Sequence, residues 1–354
     1  MFSVNGKQLI GFAKAGINIA KFSAVAMKEN VKTAILMLNM GGPQTTDQVP
    51  NYLLRIMTDR DMIQLPVQSR LGPWIAQRRA PEVQKKYQQI GGGSPILKWT
   101  ELQGNLMCKE LDQLSPETAP HKHYVGFRYV NPLTENTLQK IENSLPEHIK
   151  WSVIDRWGTN PLLIQTFADR IREELKKFSE TKRKNVVILF TAHSLPLKAV
   201  NRGDPYPSEI GASVHMVMQE LGNTNPYCLA WQSKVGPLPW LAPATDDAIK
   251  GYVKQGLKNF ILVPIAFVNE HIETLHELDI EYCDELAKEV GVEEIRRAAA
   301  PNDHPLFIKG LSTIVRDHLR QQQTVNPKFL MRCPMCTNSR CRDSKRWYEK
   351  ICTY

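Results

Sequence analysis

The feature that most constrains the fold of this chain is an alternation of strand-length apolar runs with stretches of helical pattern. Several of the runs are apolar at nearly every position, which is typical of parallel strands buried on both faces. The candidate strands are Ala34–Leu38, His123–Val130, Lys150–Ile154, Val186–Phe190 and Phe260–Phe267. The candidate helices include Leu133–Leu145, Pro161–Phe178, Asp246–Lys258 and Ile280–Val290. This alternation predicts a doubly wound α/β fold with parallel sheets.

The length predicts two domains. The chain has 354 residues, and globular domains average roughly 150 residues. We place the N-terminal α/β domain at 31–149, the C-terminal α/β domain at 150–326, and a cysteine-bearing tail at 327–354. The active cleft is expected between the two domains. The longest apolar run, Phe260–Val268, is much shorter than the ~20 residues of a membrane-spanning helix.

The charge is concentrated in part at the N-terminus. The whole chain has a net charge of +9, which favours an anionic partner such as nucleic acid, a membrane surface or an acidic ligand. Residues 1–30 contain Lys7, Lys14, Lys21 and Lys28 but only one acid, Glu29. A basic amphipathic segment of this kind predicts a mitochondrial presequence over 1–30. A frayed basic N-terminus without a targeting role is the alternative.

Two candidate strands end in residues with useful chemistry. In open α/β sheets, ligands bind beyond the carboxyl ends of the strands. The first strand leads into Met40 and the turn Gly41–Pro43, where a thioether and bare backbone suit a flat apolar ligand. The strand at Val186–Phe190 leads to His193, which could accept a proton near neutral pH. A structural, hydrogen-bonding histidine is the alternative for His193.

A third strand end leads into an acidic segment. On an α-helix, Glu270, Glu273, Glu277 and Glu281 would share one face, and no lysine or arginine lies between Glu270 and Glu285. Such repulsion suggests a cationic partner, and oxygen ligands with a histidine would suit a divalent metal. A solvated acidic face is the alternative. The zinc-peptidase, Walker A and dinucleotide-binding motifs are absent from the sequence.

Seven segments together resemble one family. They are ILMLNMGGP, IGGGSPI, GFRYV, AHSLP, NRGDPYP, WQSKVGPLPWLAP and HIETLHELDIEY. In this order, from about residue 32 to 348, they resemble the eukaryotic and especially animal mitochondrial ferrochelatases, which insert ferrous iron into protoporphyrin IX. The resemblance implies two similar Rossmann-like, chelatase-type domains, with porphyrin in the cleft between them and Fe²⁺ as a substrate.

The resemblance also implies roles for individual residues. His193 and Glu273 correspond to the catalytic pair, with His193 accepting the pyrrole protons. A path for metal or protons would use Glu273 together with His271, Glu270, Glu277 and Glu281. The residues implied to bind porphyrin are Met40, Arg79, Tyr87, Ser94, Arg128, Tyr206 and Trp240.

An apolar strip followed by basic residues suggests membrane docking. The strip contains Leu65, Leu71, Trp74 and Ile75 and is followed by Arg78 and Arg79. This pattern suits an anionic membrane surface, and a core helix with a basic end is the alternative. The resemblance implies a peripheral protein on the matrix side of the inner mitochondrial membrane, a homodimer, and no nucleic-acid partner.

The cysteines point to a metal site in the tail. Cys333, Cys336 and Cys341 have the spacing C-x2-C-x4-C, and the resemblance implies a [2Fe–2S] cluster. Four thiolates normally hold such a cluster. The family's upstream cysteine is not found here, because roughly thirty residues, about one β–α unit, are absent between Leu145 and Lys150. Cys352 is a candidate substitute, and zinc or an incomplete cluster are the alternatives.

Two further positions depart from the family. Asn160 stands where a histidine is expected, and Thr313 stands where an acidic residue is expected. Neither side chain can serve as a general base. Together with the missing segment, they leave a second function open, that of a catalytically impaired paralogue or isoform that binds porphyrin or haem without turnover.

Overall fold

The structure is a computed structural model that describes residues 31–144, 149–321, 324–336 and 338–352, with the backbone alone at 351–352. The presequence predicted for residues 1–30 lies outside the described residues.

The described chain alternates strands and helices as the apolar pattern predicts. The strands are β1 (Thr33–Asn39), β2 (His121–Phe127), β3 (Val187–His193), β4 (Tyr227–Gln232), β5 (Asn259–Val263) and β6 (Glu294–Arg297). The helices of the N-terminal half are α1 (Val49–Thr58), α2 (Gln68–Gln89), α3 (Ile96–Leu114) and α4 (Thr134–Ser144). Those after residue 150 are α5 (Pro161–Leu175), α6 (Glu180–Arg183), α7 (Leu197–Asn201), α8 (Tyr206–Glu220), α9 (Thr245–Lys254), a π-helix (Glu273–Leu286), α10 (Ala287–Val290), α11 (Pro305–Gln321), α12 (Pro327–Leu330) and α13 (Ser339–Cys352).

The larger sheet has the order β4-β3-β5-β6, and all of its strands are parallel. Successive residues of β3 point to opposite faces. Ile188 and Phe190 belong to a core with α5 and α8 on one face, whereas Val187 and Leu189 belong to a core with α9 and the π-helix on the other. Both faces are therefore buried, which confirms the parallel α/β architecture and explains the continuous apolar run.

The N-terminal half contains a smaller sheet. β1 and β2 pair in parallel along their whole length, from Thr33 opposite His121 to Asn39 opposite Phe127. Within the described residues this sheet has these two strands alone. Every residue of β1 is at least partly exposed, and Leu38 is 46% exposed.

Two predicted strands differ from the structure, and two observed strands were not predicted. The segment Lys150–Ile154 is not a strand and makes a single bridge, between Val153 and Val325. The predicted strand at Phe260–Phe267 ends at Val263, because Pro264 interrupts it. The strands β4 and β6 were not predicted: β6 has charged residues at three of its four positions, whereas the apolar run Tyr227–Trp231 of β4 was overlooked.

A buried polar network joins the two halves beside the cleft. The Gln103 side chain on α3 donates to the carbonyl of Asn302 at 2.8 Å and also contacts Asn269. Thr100 lies 3.4 Å from the side-chain amides of both Asn269 and Asn39. Because these buried groups satisfy one another, they hold the loop after β1 against the segment that precedes the π-helix.

No helix among the described residues is long and apolar enough to span a membrane.

Candidate active site

His193 and Glu273 meet at the carboxyl edge of the larger sheet. His193 is the last residue of β3 and Glu273 is the first of the π-helix. The imidazole Nδ1 donates to Glu273 Oε2 at 2.8 Å. The two side chains are 40% and 27% exposed, so a ligand can reach them. The structure thus brings together the two residues predicted to be catalytic.

Each residue of this pair shifts the pKa of the other. Burial acts to lower the pKa of His193, but the Glu273 carboxylate outweighs it, and the pKa of His193 is raised above its usual value of 6.5. Burial acts to raise the pKa of Glu273, but His193 outweighs it and lowers that pKa to about 2. At neutral pH Glu273 is therefore an anion, which stabilises a proton on His193.

Ser233 connects Glu273 to Glu277. Its hydroxyl lies 3.1 Å from Glu273 Oε2 and also contacts Glu277 Oε2, while its backbone N–H donates to Glu277 Oε1 at 2.8 Å. Ser233 has a φ of +62°, an uncommon conformation for a residue with a side chain and one that occurs at functional sites. The sequence reasoning missed Ser233, because backbone strain leaves no periodic signal.

Glu277 differs from Glu273 in its ionisation. Burial raises the pKa of Glu277, and the Glu273 carboxylate adds to this effect. Gln232 and Tyr282 donate to it at 3.1 and 3.0 Å. The site therefore combines a firmly ionised carboxylate with a second carboxyl that takes up a proton more easily, an arrangement suited to proton transfer.

The expectation of one face with four carboxylates is wrong. From Glu273 onward the segment is a π-helix, in which backbone hydrogen bonds span five residues, so the α-helical spacing does not hold. Glu270 lies 2.9 Å from Arg297, and Glu281 lies 2.8 Å from Lys86. Cations from other elements thus relieve the repulsion, and only Glu273 and Glu277 share a cluster with His193.

Glu270 is a buried ion-pair partner. Its Oε1 also accepts from the backbone N–H of Ala300 at 2.9 Å. Burial acts to raise the pKa of Glu270, but Arg297 outweighs it and the pKa is lowered. Arg297 also pairs with Asp279 at 2.5 Å. These contacts commit Glu270 to an anionic structural role beside the cleft.

Aromatic residues and a further histidine surround His193. The Tyr206 hydroxyl donates to the His193 carbonyl at 3.0 Å, and Trp240 forms a backbone bridge with Pro196. The His271 ring lies 4.6 Å from that of Phe267. Burial lowers the pKa of His271, and its Nδ1 has no hydrogen-bond partner among the described residues. The indole N–H of Trp240 is likewise buried without such a partner.

Tyrosines from the N-terminal half face the same site. Burial raises the pKa of Tyr52 and of Tyr87, and the nearby Glu273 carboxylate adds to this effect at both. Tyr87 was predicted to bind porphyrin, and Tyr52 is a further residue that the sequence reasoning missed. Tyr87 is buried in the core between α1 and α2, and Tyr52 packs against that core as a partly buried neighbour.

The other predicted porphyrin residues lie at the rim or beneath it. Arg128 donates to Asp59 at 2.7 Å and lies 3.3 Å from Asp61. Ser94 is buried, and a Cβ at Gly42 would lie 2.6 Å from it, so Ser94 supports the Gly41–Pro43 turn from below. Met40 and Arg79 are partly exposed.

The two departures from the family have structural roles in this chain. The Asn160 side chain caps α5 by accepting from the backbone N–H groups of Leu162 and Leu163 at 3.0 and 3.3 Å. Asparagine is among the best N-cap residues. The Thr313 hydroxyl donates to the Gly310 carbonyl at 2.9 Å within α11. Neither residue belongs to the His193 cluster.

The tail lies against both halves of the molecule. The backbone N–H of Met335 donates to the Arg202 carbonyl at 3.2 Å, and Asn338 donates to Asp61 at 3.3 Å. A cavity of about 680 Å³ lies where the tail meets α1 and α2, apart from His193. It is lined by Thr58, Asp59, Arg60, Val67, Gln68, Ser69 and Arg340.

Two of the tail thiols are in contact, but the described side chains of the tail do not form a metal site. The Cys341 thiol is hydrogen-bonded to that of Cys336, and burial followed by the neighbouring thiols raises its pKa. In the described ranges, no group of three or more His, Cys, Asp or Glu side chains is placed so that it could hold a metal ion.

Comparison with known proteins identifies one family. The ferrochelatase family model matches residues 32–149 and 142–319. The chain is 77% identical over 356 positions to the mitochondrial ferrochelatase of Drosophila melanogaster, covering 91% of this chain and 93% of that protein. It is 50% identical over 363 positions to the human enzyme, with 93% and 86% covered. The Schizosaccharomyces pombe enzyme is 42% identical over 352 positions, with 90% and 83% covered.

The comparison also locates the missing segment. Ninety-one per cent of 354 residues is about 322, so about 34 of the 356 positions aligned with the Drosophila protein have no residue in this chain. The family model matches in two pieces that meet at 142–149. Both findings agree with the expectation that a segment of about one β–α unit is absent there.

Proposed function

The chain belongs to the ferrochelatase family, so it is an enzyme that inserts ferrous iron into protoporphyrin IX to form protohaem, and we propose that His193 and Glu273 perform the proton transfer. This reaction is the last step of haem biosynthesis. Fe²⁺ replaces the two pyrrole N–H protons, which must leave the macrocycle as the metal enters. A positioned base lowers the barrier to that exchange.

The observation that supports this assignment most is the hydrogen bond between His193 and Glu273, extended to Glu277 by Ser233. His193 takes a pyrrole proton, and the Glu273 anion stabilises the imidazolium that results. Glu277 is the second carboxyl that can hold a proton, since its pKa is raised.

We assign the remaining candidate residues to binding. Tyr206, Trp240 and Met40 would contact the faces of the macrocycle, whereas the buried Tyr87 would support the site from the core between α1 and α2. Arg79 would form an ion pair with a propionate of the porphyrin. Arg128 would either do the same or stabilise the surrounding loop through its ion pair with Asp59. His271 lies near Glu273 and has its Nδ1 unpartnered within the described part of the chain, so it completes the polar wall. Glu270 and Glu281 are paired with Arg297 and Lys86, so we assign them a structural role beside the site.

The test is the variant His193→Ala in an anaerobic assay with protoporphyrin IX and Fe²⁺. Removal of a general base is expected to lower kcat by roughly 10²- to 10⁴-fold, whereas porphyrin binding, followed by fluorescence quenching, changes little. His215→Ala on α8 is the matched control and retains activity. Unchanged kcat in the His193→Ala enzyme would remove His193 from the mechanism.

The chain is mitochondrial, as its relatives are named, and we propose a peripheral place on the matrix side of the inner membrane. The support is the surface around α2, which exposes Val67, Leu71 and Trp74, at 63%, 38% and 57%. Arg78 lies over the Trp74 ring at 5.7 Å. An apolar surface with an adjacent cation suits shallow docking on anionic lipid. The homodimer that the resemblance implies is proposed on the resemblance alone.

For the tail, the residues do not fit the [2Fe–2S] cluster that the resemblance implies. That cluster normally requires four thiolates, and within the described side chains the tail supplies Cys333, Cys336 and Cys341. No step of the reaction above depends on a group bound there. None of the comparisons favours the alternative of a porphyrin-binding protein without turnover.

A further inference from the structure

The cavity between α1, α2 and the tail is not used by the reaction proposed above. Its volume of about 680 Å³ falls within the range of ~300–1,000 Å³ that is typical of ligand sites. Gln68, a buried side chain of its wall, donates to the carbonyls of Met57 and Ile63 at 2.9 and 2.8 Å. The same side chain accepts from the backbone N–H of Leu65 at 3.3 Å. These bonds fix the loop between α1 and α2, so the cavity has a defined shape.

Two arginines from different elements line this cavity. Arg60 belongs to the loop after α1, and Arg340 belongs to the tail helix α13. Within the described part of the chain, Arg60 has no ion-pair partner. The Arg340 side chain is 53% exposed and lies 3.8 Å from Asp61. Both guanidinium groups can therefore take a further anionic partner.

The two carboxylates beside the cavity are already paired with other groups. Asp59 accepts from Arg128 at 2.7 Å and from the Tyr129 hydroxyl at 2.9 Å. Asp61 lies 3.3 Å from Arg128 and accepts from Asn338 at 3.3 Å. Three arginines thus lie beside two carboxylates, and the first turn of α2 adds no acidic residue. This excess of positive charge favours an anionic ligand.

An exposed apolar stripe leads from the cavity along α2. Val67 lines the cavity and immediately precedes α2, and Leu71, Trp74 and Arg78 follow it at helical spacing. Residues spaced in this way share one face of a helix. The first three are exposed, and Arg78 lies over the Trp74 ring at 5.7 Å. The cationic cavity therefore opens at one end of an apolar surface.

We propose that this cavity binds the phosphate of an anionic phospholipid headgroup, whose acyl chains lie along Val67, Leu71 and Trp74. The inference rests on the peripheral membrane placement proposed above, and it adds the class of lipid and the residues that bind it. Guanidinium groups form strong, bidentate hydrogen bonds with phosphate oxygens, and Arg60 and Arg340 supply two of them. A lipid is favoured over free phosphate, because the lipid would fill the cavity and also cover the stripe.

The proposal gives the tail a role in membrane binding. Arg340 belongs to α13, whereas Arg60 and the stripe belong to the N-terminal half. One headgroup in the cavity would contact both, so its binding would hold the start of α13 against the loop after α1. This role is independent of any group bound by the tail cysteines.

The experiment measures co-sedimentation of the full chain with vesicles of phosphatidylcholine, alone or mixed with phosphatidylglycerol. The parent is expected to bind the mixed vesicles. Arg60→Ala and Arg340→Ala are each expected to weaken this binding about tenfold or more, since each removes charge-assisted hydrogen bonds to the phosphate. Lys109→Ala on α3 and Arg346→Ala on α13 are the matched controls, which lose the same charge and bind within about twofold of the parent. Equal weakening in variants and controls would overturn the proposal.

A soluble probe separates lipid from free phosphate and needs no variant. Dihexanoyl phosphatidylglycerol, kept below the concentration at which it forms micelles, is expected to bind the parent at least about tenfold more tightly than inorganic phosphate. It should also slow amide hydrogen exchange at the start of α13. Inorganic phosphate that binds as tightly as the lipid would overturn the assignment to a lipid.

The outcomes distinguish the headgroup site from the docking surface itself. If Trp74→Ser loses vesicle binding while Arg60→Ala and Arg340→Ala bind as their controls do, the headgroup site is wrong and the docking surface stands. A parent protein that does not bind the mixed vesicles contradicts both.

Discussion

At the scale of single residues, the site depends on how Glu273 changes its neighbour. The carboxylate is ionised throughout the physiological range, because His193 lowers its pKa to about 2. It therefore raises the pKa of His193 above 6.5 against the effect of burial. Since only the neutral imidazole can accept a pyrrole proton, kcat/KM is expected to rise with pH through the pKa of His193.

This dependence yields a prediction for Glu273→Gln. Removing the anion leaves burial as the main influence on His193, so the pKa of His193 falls and the acidic limb of the pH profile moves to lower pH. The maximal rate also falls, because the imidazolium is no longer stabilised. The measurement is kcat/KM against pH, with the exposed Glu289→Gln as a control that keeps the parent profile. An acidic limb that stays in place would show that it does not report His193.

Ser233 shows what sequence reasoning can and cannot recover at this scale. His193 was predicted because it follows a buried apolar strand, and that strand is visible in the sequence. Ser233 follows β4, a strand that the sequence reasoning overlooked, and its role depends on a φ of +62° that no side-chain pattern encodes. Tyr52 was missed for another reason, since a tyrosine on the apolar face of an amphipathic helix usually packs against the core, as Tyr52 does.

At the scale of elements, α2 is joined to the π-helix by one polar bridge. The Lys86 ammonium lies 2.8 Å from Glu281, whose carboxylate is 3.2 Å from His276 Nδ1. The Nε2 of His276 lies 2.7 Å from Gln89 at the end of α2. The bridge therefore links the helix that bears Tyr87 to the helix that bears Glu273, across the cleft.

Lys86→Met is expected to loosen α2 more than it destabilises the fold. Part-exposed ion pairs contribute only ~0–1 kcal/mol, so the melting temperature should change little. Amide hydrogen exchange near the end of α2 should accelerate, and KM for porphyrin should rise about threefold, roughly 0.6 kcal/mol by the usual conversion. Lys85→Met, an exposed neighbour on the same helix, is the control. Unchanged exchange in the Lys86→Met protein would show that the bridge does not hold α2.

The surface around Trp74 yields the prediction for membrane binding. Trp74→Ser removes the largest exposed apolar side chain of α2, and a buried aromatic contributes ~1.5–3 kcal/mol. Co-sedimentation with vesicles that contain anionic lipid should therefore weaken by roughly tenfold or more. Tyr227→Ser, which removes an exposed aromatic from β4, should bind as the parent does. Equal binding of both variants would exclude this surface as the docking site.

For the acidic segment, the sequence predicted the position but neither the helix type nor the contacts. Its residues were correctly expected at a strand end, but their contacts depend on a π-helix and on Arg297 and Lys86, which lie far from it in sequence or on another element. An edge strand such as β6 has the sequence EIRR, which has no apolar run to recognise. Long-range charges and helix type are tertiary properties, so spacing alone could not supply them.

At the scale of the whole molecule, two α/β halves are held together around a cleft lined from both sides. The parallel architecture followed from the buried strands, and the resemblance of seven segments gave the family. The absent segment was inferred from the sequence, and its consequence for the fold is visible in the described part of the smaller sheet, where β1 pairs with β2 alone and remains half exposed. The His193 cluster lies on the larger sheet, away from this edge.

That separation is why we expect the shortened chain to be active. The central claim is tested most directly by an anaerobic assay of the purified full chain with protoporphyrin IX and Fe²⁺, in which protohaem is measured by its absorption. We predict protohaem formation well above the non-enzymatic rate, and its loss in the His193→Ala protein. A folded parent protein that forms protohaem no faster than the enzyme-free control would contradict the account.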